Sequence, residues 1–342
     1  MPQKTAVILF NLGGPDSQQA VQPFLFNLFN DPAIIRLPQP LRWLIAKLIS
    51  SRRAPVAAKI YDHMGGRSPI LPQTEAQADA LKVSLGSDDY RVFIAMRYWH
   101  PFSAAAAKAA KDWGAQRVVL LPLYPQFSTT TTASSITDWS RAAAKAGLNA
   151  PTAVIGCYPD EPGFIAAQTA LLRDALPAGE AQGPVRILFS AHGLPKKVVT
   201  DGDPYQMQVE KGVAAILRLL NRPELETQIC YQSRVGPLEW IGPATDAEIT
   251  RAALDGKSIV VVPIAFVSEH SETLVELDIE YKELATHNGA RGYTRVATVG
   301  VQPDFIAGLA GLVRRAVYDG MARCGSGGKA CGSAWRRCIC KT

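Results

Sequence analysis

The chain repeats one pattern: short, nearly continuous apolar runs rich in Val, Ile and Leu, separated by longer Ala-rich stretches of mixed polarity. Four runs lie in the first half, at residues 5–13 (TAVILFNLG), 91–98, 117–125 and 152–159. Four more follow at 185–193, 227–234, 258–266 and 295–300. Continuous rather than alternating apolar character predicts strands covered on both faces, and therefore parallel sheets with helical crossovers. The intervening segments predict helices over 73–85, 102–113, 133–146, 163–175, 204–220, 246–255, 272–287 and 304–319. The expected fold class is α/β, with two doubly wound, Rossmann-like lobes each built on a four-stranded parallel sheet. The expected boundaries are 1–162 for the N-terminal lobe, 163–302 for the C-terminal lobe, and 303–342 for a final helix and cysteine-rich extension.

Length and composition agree with this. With 342 residues, 47% hydrophobic and 19% charged, the chain can bury a large core without a disulfide scaffold. No run of about 18 apolar residues occurs, so no membrane span is expected. The start, MPQKTAVILFNLGG, lacks the signal-peptide pattern and predicts a cytoplasmic protein. The net charge of +6 is regional. Residues 32–61 hold Arg36, Arg42, Lys47, Arg52, Arg53 and Lys59 with no acid. From Gly320 onward stand Arg323, Lys329, Arg336, Arg337 and Lys341, again without one. A local anionic partner fits better than a whole-surface nucleic-acid binder, and no nucleic-acid-binding motif is present.

In doubly wound sheets, ligands gather at the carboxyl ends of the strands. The polar residues at those ends are Asn11, Arg97-Tyr98, Tyr124-Pro125-Gln126, His192, Gln232-Ser233 and Ser268-Glu269-His270. They predict chemistry between two facing lobes. Asn11-Leu12-Gly13-Gly14-Pro15 is neither G-x-G-x-x-G nor a P-loop, so a shaped turn is expected rather than a nucleotide site. His192, within SAHGLP, reads either as a loop histidine or as a base and metal ligand, since an imidazole titrates near neutrality. Glu269, Glu272, Glu276, Glu280 and Glu283 follow helical spacings of three or four. They form either a solvated acidic face or a row for a divalent cation beside His270, because like charges at that spacing repel.

Several long motifs appear in order: FNLGGP (10–15), YDHMGGRSPI (61–70), MRYWHP (96–101), LPLYPQFSTTTTASS (121–135), SAHGLP (190–195), YQSRVGPLEW (231–240) and PIAFVSEHSETLVELDIEY (263–281). Across nearly its whole length the chain resembles the ferrochelatases, which insert ferrous iron into protoporphyrin IX to make protohaem. The resemblance implies that His192 and Glu272 are the facing catalytic and metal-site pair, with Glu269, His270 and Glu276 nearby. It implies that Leu12, Tyr61, Ser68, Arg97, Tyr98, Tyr124 and Trp240 line or border the porphyrin site. The chemistry is coherent with those types. Insertion needs both pyrrole protons removed, water stripped from Fe²⁺ and the ring bent toward the metal. His192 is a base of suitable pKa, and the acids offer charge for the cation and an exit for protons. Arg97 and Ser68 could bind propionates.

Within residues 34–50, Leu41, Leu44, Ile45 and Leu48 share a helical face flanked by Trp43 and basic residues. This is either a helix packed on the core or a lip resting peripherally on an anionic membrane to collect an apolar substrate. A homodimer is left open.

Six cysteines occur: Cys157, Cys230, Cys324, Cys331, Cys338 and Cys340, the last four in a C-x6-C-x6-C-x-C array. A cytoplasmic protein disfavours disulfides, and structural zinc usually shows C-x2-C pairs. Nearby cations favour thiolates, and an iron–sulfur cluster is compatible with the spacing. Cys230 reads as core. Many ferrochelatases carry a [2Fe-2S] cluster on three tail cysteines and one from the body. The animal-type body cysteine would fall at Thr129, so the resemblance points instead to Cys157 with Cys331, Cys338 and Cys340. An all-tail set with Cys324 is the rival. Two other functional readings are a chelatase for a different tetrapyrrole and a haem carrier without catalysis.

Overall fold

The computed structural model describes residues 3–319, 323–324, 331 and 334–339. The chain divides into two compact units, Met1–Gly156 with Ala310–Arg323, and Cys157–Leu309 with Cys324–Thr342. In the first, strand β1 (Thr5–Asn11) is buried at all seven positions. Then come α1 (Val21–Phe29), α2 (Leu41–Asp62), α3 (Ile70–Leu85), β2 (Tyr90–Met96), α4 (Ser103–Asp112), β3 (Arg117–Pro122), α5 (Thr132–Ala146) and β4 (Thr152–Cys157). The second runs through α6 (Pro162–Glu180), β5 (Val185–His192), α7 (Lys196–Thr200), α8 (Tyr205–Leu220), β6 (Glu226–Gln232), α9 (Thr245–Leu254) and β7 (Ser258–Pro263). A π-helix (Glu272–Glu280), α10 (Tyr281–His287), β8 (Gly292–Arg295), α11 (Pro303–Asp319) and the two-residue β9 (Arg323–Cys324) complete the order.

The sheets repeat one strand order. The first runs β2-β1-β3-β4-β9 and the second β6-β5-β7-β8. The pairings of β1 with β2 and β3, of β3 with β4, and of β5 with β6 and β7 are parallel, as is β7 with β8. The doubly wound α/β expectation is therefore met, with β9 as an added short edge strand. In each sheet the winding reverses beside the first strand, so the switch points lie between β1 and β3 and between β5 and β7. Helices cover both faces. In the first unit Ala106, Ala107 and Ala110 of α4 and Trp139 of α5 pack on Ile8, Phe10, Val118 and Leu120. In the second, Ile249 and Ala252 of α9 and Ala285 of α10 pack on Leu188, Cys230, Ile259 and Val261.

Three sequence expectations need correction. The last strand is Gly292–Arg295 rather than 295–300. Helix α2 continues to Asp62 through Pro55, well past residue 50. The acidic helix expected over 272–287 is a π-helix up to Glu280, where the Tyr281 N–H donates to the Glu276 carbonyl five residues back, and α-helix only after that. Of the two readings of the lip, the structure leaves Leu41, Leu44 and Leu48 about half exposed and buries Ala46 and Ser50. The apolar face of α2 thus points away from the core.

Candidate active site

His192 is the last residue of β5 and pairs in register with Gln232, the last residue of β6. Residues 268–272 follow β7, so His192 and the acidic segment flank the switch point of the second sheet, where this class of fold opens a crevice. Gly193 is small for a packing reason. A Cβ there would lie 2.9 Å from the Gln232 carbonyl oxygen and 3.1 Å from the Trp240 ring. The turn therefore folds tightly against the end of β6.

Three side chains meet at this point. His192 Nε2 lies 3.6 Å from Glu272 Oε1, and His270 Nε2 lies 3.7 Å from Glu272 Oε2. The other ring nitrogens face carbonyls, His192 Nδ1 at 2.6 Å from Gly193 O and His270 Nδ1 at 3.0 Å from Ser268 O. A carbonyl accepts only, so each Nδ1 carries the hydrogen and Nε2 is the atom of each ring that faces the carboxylate. A proton on either Nε2, or a metal cation beside it, is attracted to the carboxylate. Burial alone would raise the Glu272 carboxyl pKa, but the charge of His192 and the hydrogen bond and charge of His270 overcome it and hold it down to about 2. Burial opposes charging of His270, yet the Glu272 hydrogen bond and charge raise its pKa. The site thus keeps a fixed anion between two groups that can exchange a proton for a metal. The imidazoles approach different oxygens, and among the described residues no three His, Cys, Asp or Glu side chains form a metal-holding group.

The rest of the acidic row is not equivalent to Glu272. Glu269 is bound by Arg295 Nη1 at 2.8 Å and by the Thr298 N–H at 3.0 Å. Burial would raise its pKa, but the Arg295 charge and these hydrogen bonds lower it. Glu276 accepts from Gln232 Nε2, Ser233 N, Ser233 Oγ and Tyr281 Oη, all at 2.5–3.0 Å. Those bonds hold Ser233 in the left-handed region (φ 60°), which strains a residue with a side chain. Glu276 acts as a brace, and Gln232 Nε2 extends it to the Glu272 carbonyl at 3.0 Å.

In the first unit the strand-end residues form another network. Asp31 Oδ2 accepts from Tyr98 Oη at 2.8 Å and Ser134 Oγ at 2.5 Å, and pairs with Arg97 Nη2 at 2.8 Å. Arg97 Nε also donates to Ser134 at 2.7 Å. Arg97 therefore already has a carboxylate. Tyr98 and Tyr61 sit in the apolar cluster with Phe24 and Leu25, and Ser68 is buried. Leu12, Tyr124 and, in the second unit, Trp240 are half-buried. Trp240 Nε1 is buried with no hydrogen-bond partner among the described residues, and burial raises the Tyr124 phenol pKa against the opposing Ser135 hydrogen bond and Arg97 charge. Asn11 is spent internally, donating to Thr74 at 2.9 Å.

A family model for ferrochelatase matches residues 4–317. The chain belongs to the ferrochelatase family. It is 50% identical to a ferrochelatase of Caulobacter vibrioides (strain NA1000 / CB15N) over 346 residues, covering 100% of this chain and 99% of the relative. It is equally identical, over 314 residues, to one of Pelagibacter ubique, covering 91% and 90%. Among solved structures it is similar to the sirohydrochlorin chelatase SirB from Bacillus subtilis subspecies spizizenii in complex with cobalt. That likeness has TM-score 0.55 at 13% identity, with 92% of this chain and 96% of that one covered, and bears on the fold alone. As a ferrochelatase-family enzyme, the chain works on iron and porphyrin as substrates.

The cysteines divide as their environments dictate. Burial pushes the Cys230 thiol up to about 12, in keeping with a core role. Cys157, at the end of β4, and Cys331 of the tail are both buried, and Gln208 Nε2 of α8 donates to both sulfurs, at 3.3 Å and 3.1 Å. Cys338 is also buried, and the chain just before it is tied down by the Arg337 N–H donating to the Gly202 carbonyl at 3.1 Å. Cys340 and the side chain of Cys324 lie outside the described residues. Asp31, Arg295 and Gln208 carry no sequence motif. A glutamine among the buried positions Tyr205, Val209, Gly212 and Val213 of α8 was the one readable sign of the third.

Proposed function

We propose that this chain inserts Fe²⁺ into protoporphyrin IX to form protohaem, with His192 and Glu272 as the reacting pair. The observation that carries this is the Glu272 carboxylate set between the Nε2 atoms of His192 and His270 at the β5/β7 switch point. His192 Nε2, with Nδ1 fixed by Gly193 O, accepts a pyrrole proton. The charge so formed is stabilised by Glu272 at 3.6 Å. Glu272 attracts the incoming cation, and His270 behind it relays protons or assists in shedding water. A transient arrangement suits a metal that must leave with the product, whereas a closed cage would retain it. Arg295 and the Glu276 brace hold the segment in place. Leu12, Arg97, Tyr124 and Trp240 are assigned to porphyrin contact because they remain partly exposed, with Tyr61, Ser68 and Tyr98 supporting them from the core. The outward Leu41, Leu44 and Leu48 with their basic neighbours support peripheral contact of α2 with an anionic membrane on the cytoplasmic side.

A [2Fe-2S] cluster is proposed on Cys157, Cys331, Cys338 and Cys340. The meeting of Cys157 and Cys331 at one amide favours this set over the all-tail one. Soft thiolates suit such a centre, which supplies one-electron redox capacity when bound. The test of function is anaerobic incubation of the protein with Fe²⁺ and protoporphyrin IX, followed by the haem spectrum. Haem should form, and His192→Ala should abolish it. Tight haem binding with no turnover in the wild type would favour a carrier instead. For the cluster, visible absorption with about two iron and two sulfide per chain is expected. Zinc, or no metal, would reject it.

A further inference from the structure

Helix α8 comes unusually close to the chain leaving β4. A Cβ at Gly212 would lie 2.8 Å from the Pro159 carbonyl oxygen, so this position admits only glycine without displacement of the backbone. One turn earlier, the same approach sets Gln208 against Cys157, and the tail brings Cys331 to the same amide nitrogen. Gln208 is fully buried. A glutamine on the apolar face of a helix is costly unless its amide is bonded, so its presence there calls for a purpose beyond filling space. Both sulfurs lie within weak hydrogen-bond reach of one nitrogen, which joins a residue of the folded body to one of the extension.

We propose that Gln208 is the positioning residue of the cysteine site, aligning Cys157 with Cys331 and raising the reduction potential of the cluster they hold. This rests on the [2Fe-2S] reading above. Reduction adds one electron to the cluster and makes it more negative. An N–H aimed at a ligating sulfur stabilises the more negative state and so shifts the potential upward, as hydrogen bonds to sulfur generally do. Before the cluster forms, the same amide stabilises thiolate over thiol and keeps two ligands at hand.

The experiment uses the full-length protein purified anaerobically, with iron and sulfide analysis, thermal melting, and dithionite titration with mediators followed by visible and electron paramagnetic resonance spectra. Gln208→Met keeps the length and removes the donors. Gln208→Glu keeps the shape and places an anion by the sulfurs, and it carries the test should the Met variant fail to fold. Both should titrate more negatively than the wild type. For the Met variant the reduced-to-oxidised ratio at fixed solution potential should fall about tenfold, which is about 59 mV for one electron. A merely structural glutamine would alter melting but leave the potential in place. A cluster of wild-type content and potential in both variants overturns the role of Gln208 alone. A wild-type protein without iron and sulfide overturns the cluster reading, and this inference with it.

Discussion

Asp31 and Glu272 are both carboxylates near the carboxyl ends of parallel strands, yet their surroundings differ in kind. Asp31 Oδ2 is met by a guanidinium and two hydroxyls. An arginine keeps its charge at any working pH, so that anion is permanently balanced and its geometry is fixed. Glu272 is met by two imidazoles, whose charge comes and goes. The first arrangement holds structure. The second can release a proton, accept a metal and return, which is what metal insertion requires. The same contrast recurs within the acidic segment, where Arg295 fixes Glu269 and four donors fix Glu276, leaving Glu272 as the member with exchangeable partners.

The largest expected effect tests the exchangeable side. His192→Ala should lower kcat for haem formation by at least about 100-fold, as loss of a general base does, while the protein melts near its usual temperature. Glu272→Gln keeps the shape and removes the fixed anion. It should reduce kcat/KM for Fe²⁺ by about ten- to a hundredfold, roughly 1.4–2.7 kcal/mol, and a variant as active as the wild type would refute the assigned role.

Breaking the fixed side should reverse the pattern. Asp31→Asn removes the carboxylate 2.8 Å from the Arg97 guanidinium in a largely buried setting and leaves the longer pair with Asp138 at 3.9 Å, at a stability cost of about 3 kcal/mol. Denaturant unfolding would measure it, and any fall in turnover should follow the lost fold rather than a change in proton chemistry. Arg295→Met leaves Glu269 and Asp278 without the guanidinium that binds them at 2.8 Å and 2.6 Å, and it should destabilise chiefly near neutral pH. Glu269 has a lowered pKa in the folded protein, so its stabilising contribution is complete above the ordinary carboxyl range, about 4.3, and is lost as pH falls through the lowered value. Without Arg295 that value rises, so the contribution is already missing at neutral pH and the deficit relative to wild type should shrink as pH falls through the carboxyl range. A stability deficit that stays constant from neutral pH into acid would break the comparison. The smallest effect is the shift in potential of the proposed cluster expected for Gln208→Met, which leaves the His192–Glu272 pair untouched.

Much of this was legible in the residues. The apolar runs are local and continuous, so strands, crossover helices and fold class followed from periodicity, and His192 and Glu272 stood out within long family motifs. The π-helix was not legible, because glutamates three and four apart read equally well as an α-helix. Nor was the inequality of the acids. Glu269 looks like Glu272 until β8 delivers Arg295, and Glu276 looks like both until the end of β6 supplies Gln232 and Ser233. Cys157 and Cys331 are distant in sequence, and only the packing of α8 places one amide between them.

The order of polar and apolar residues by itself determined two wound sheets, and the long motifs set the chain beside the ferrochelatases. Backbone preference and burial act over a few residues, so the chain spells them out directly. Tertiary structure alone decided which carboxylate keeps exchangeable partners, which cysteines meet, and that the apolar face of α2 turns outward. Those outcomes depend on charges and donors brought from remote segments, and electrostatic energy depends on distance in space rather than along the chain.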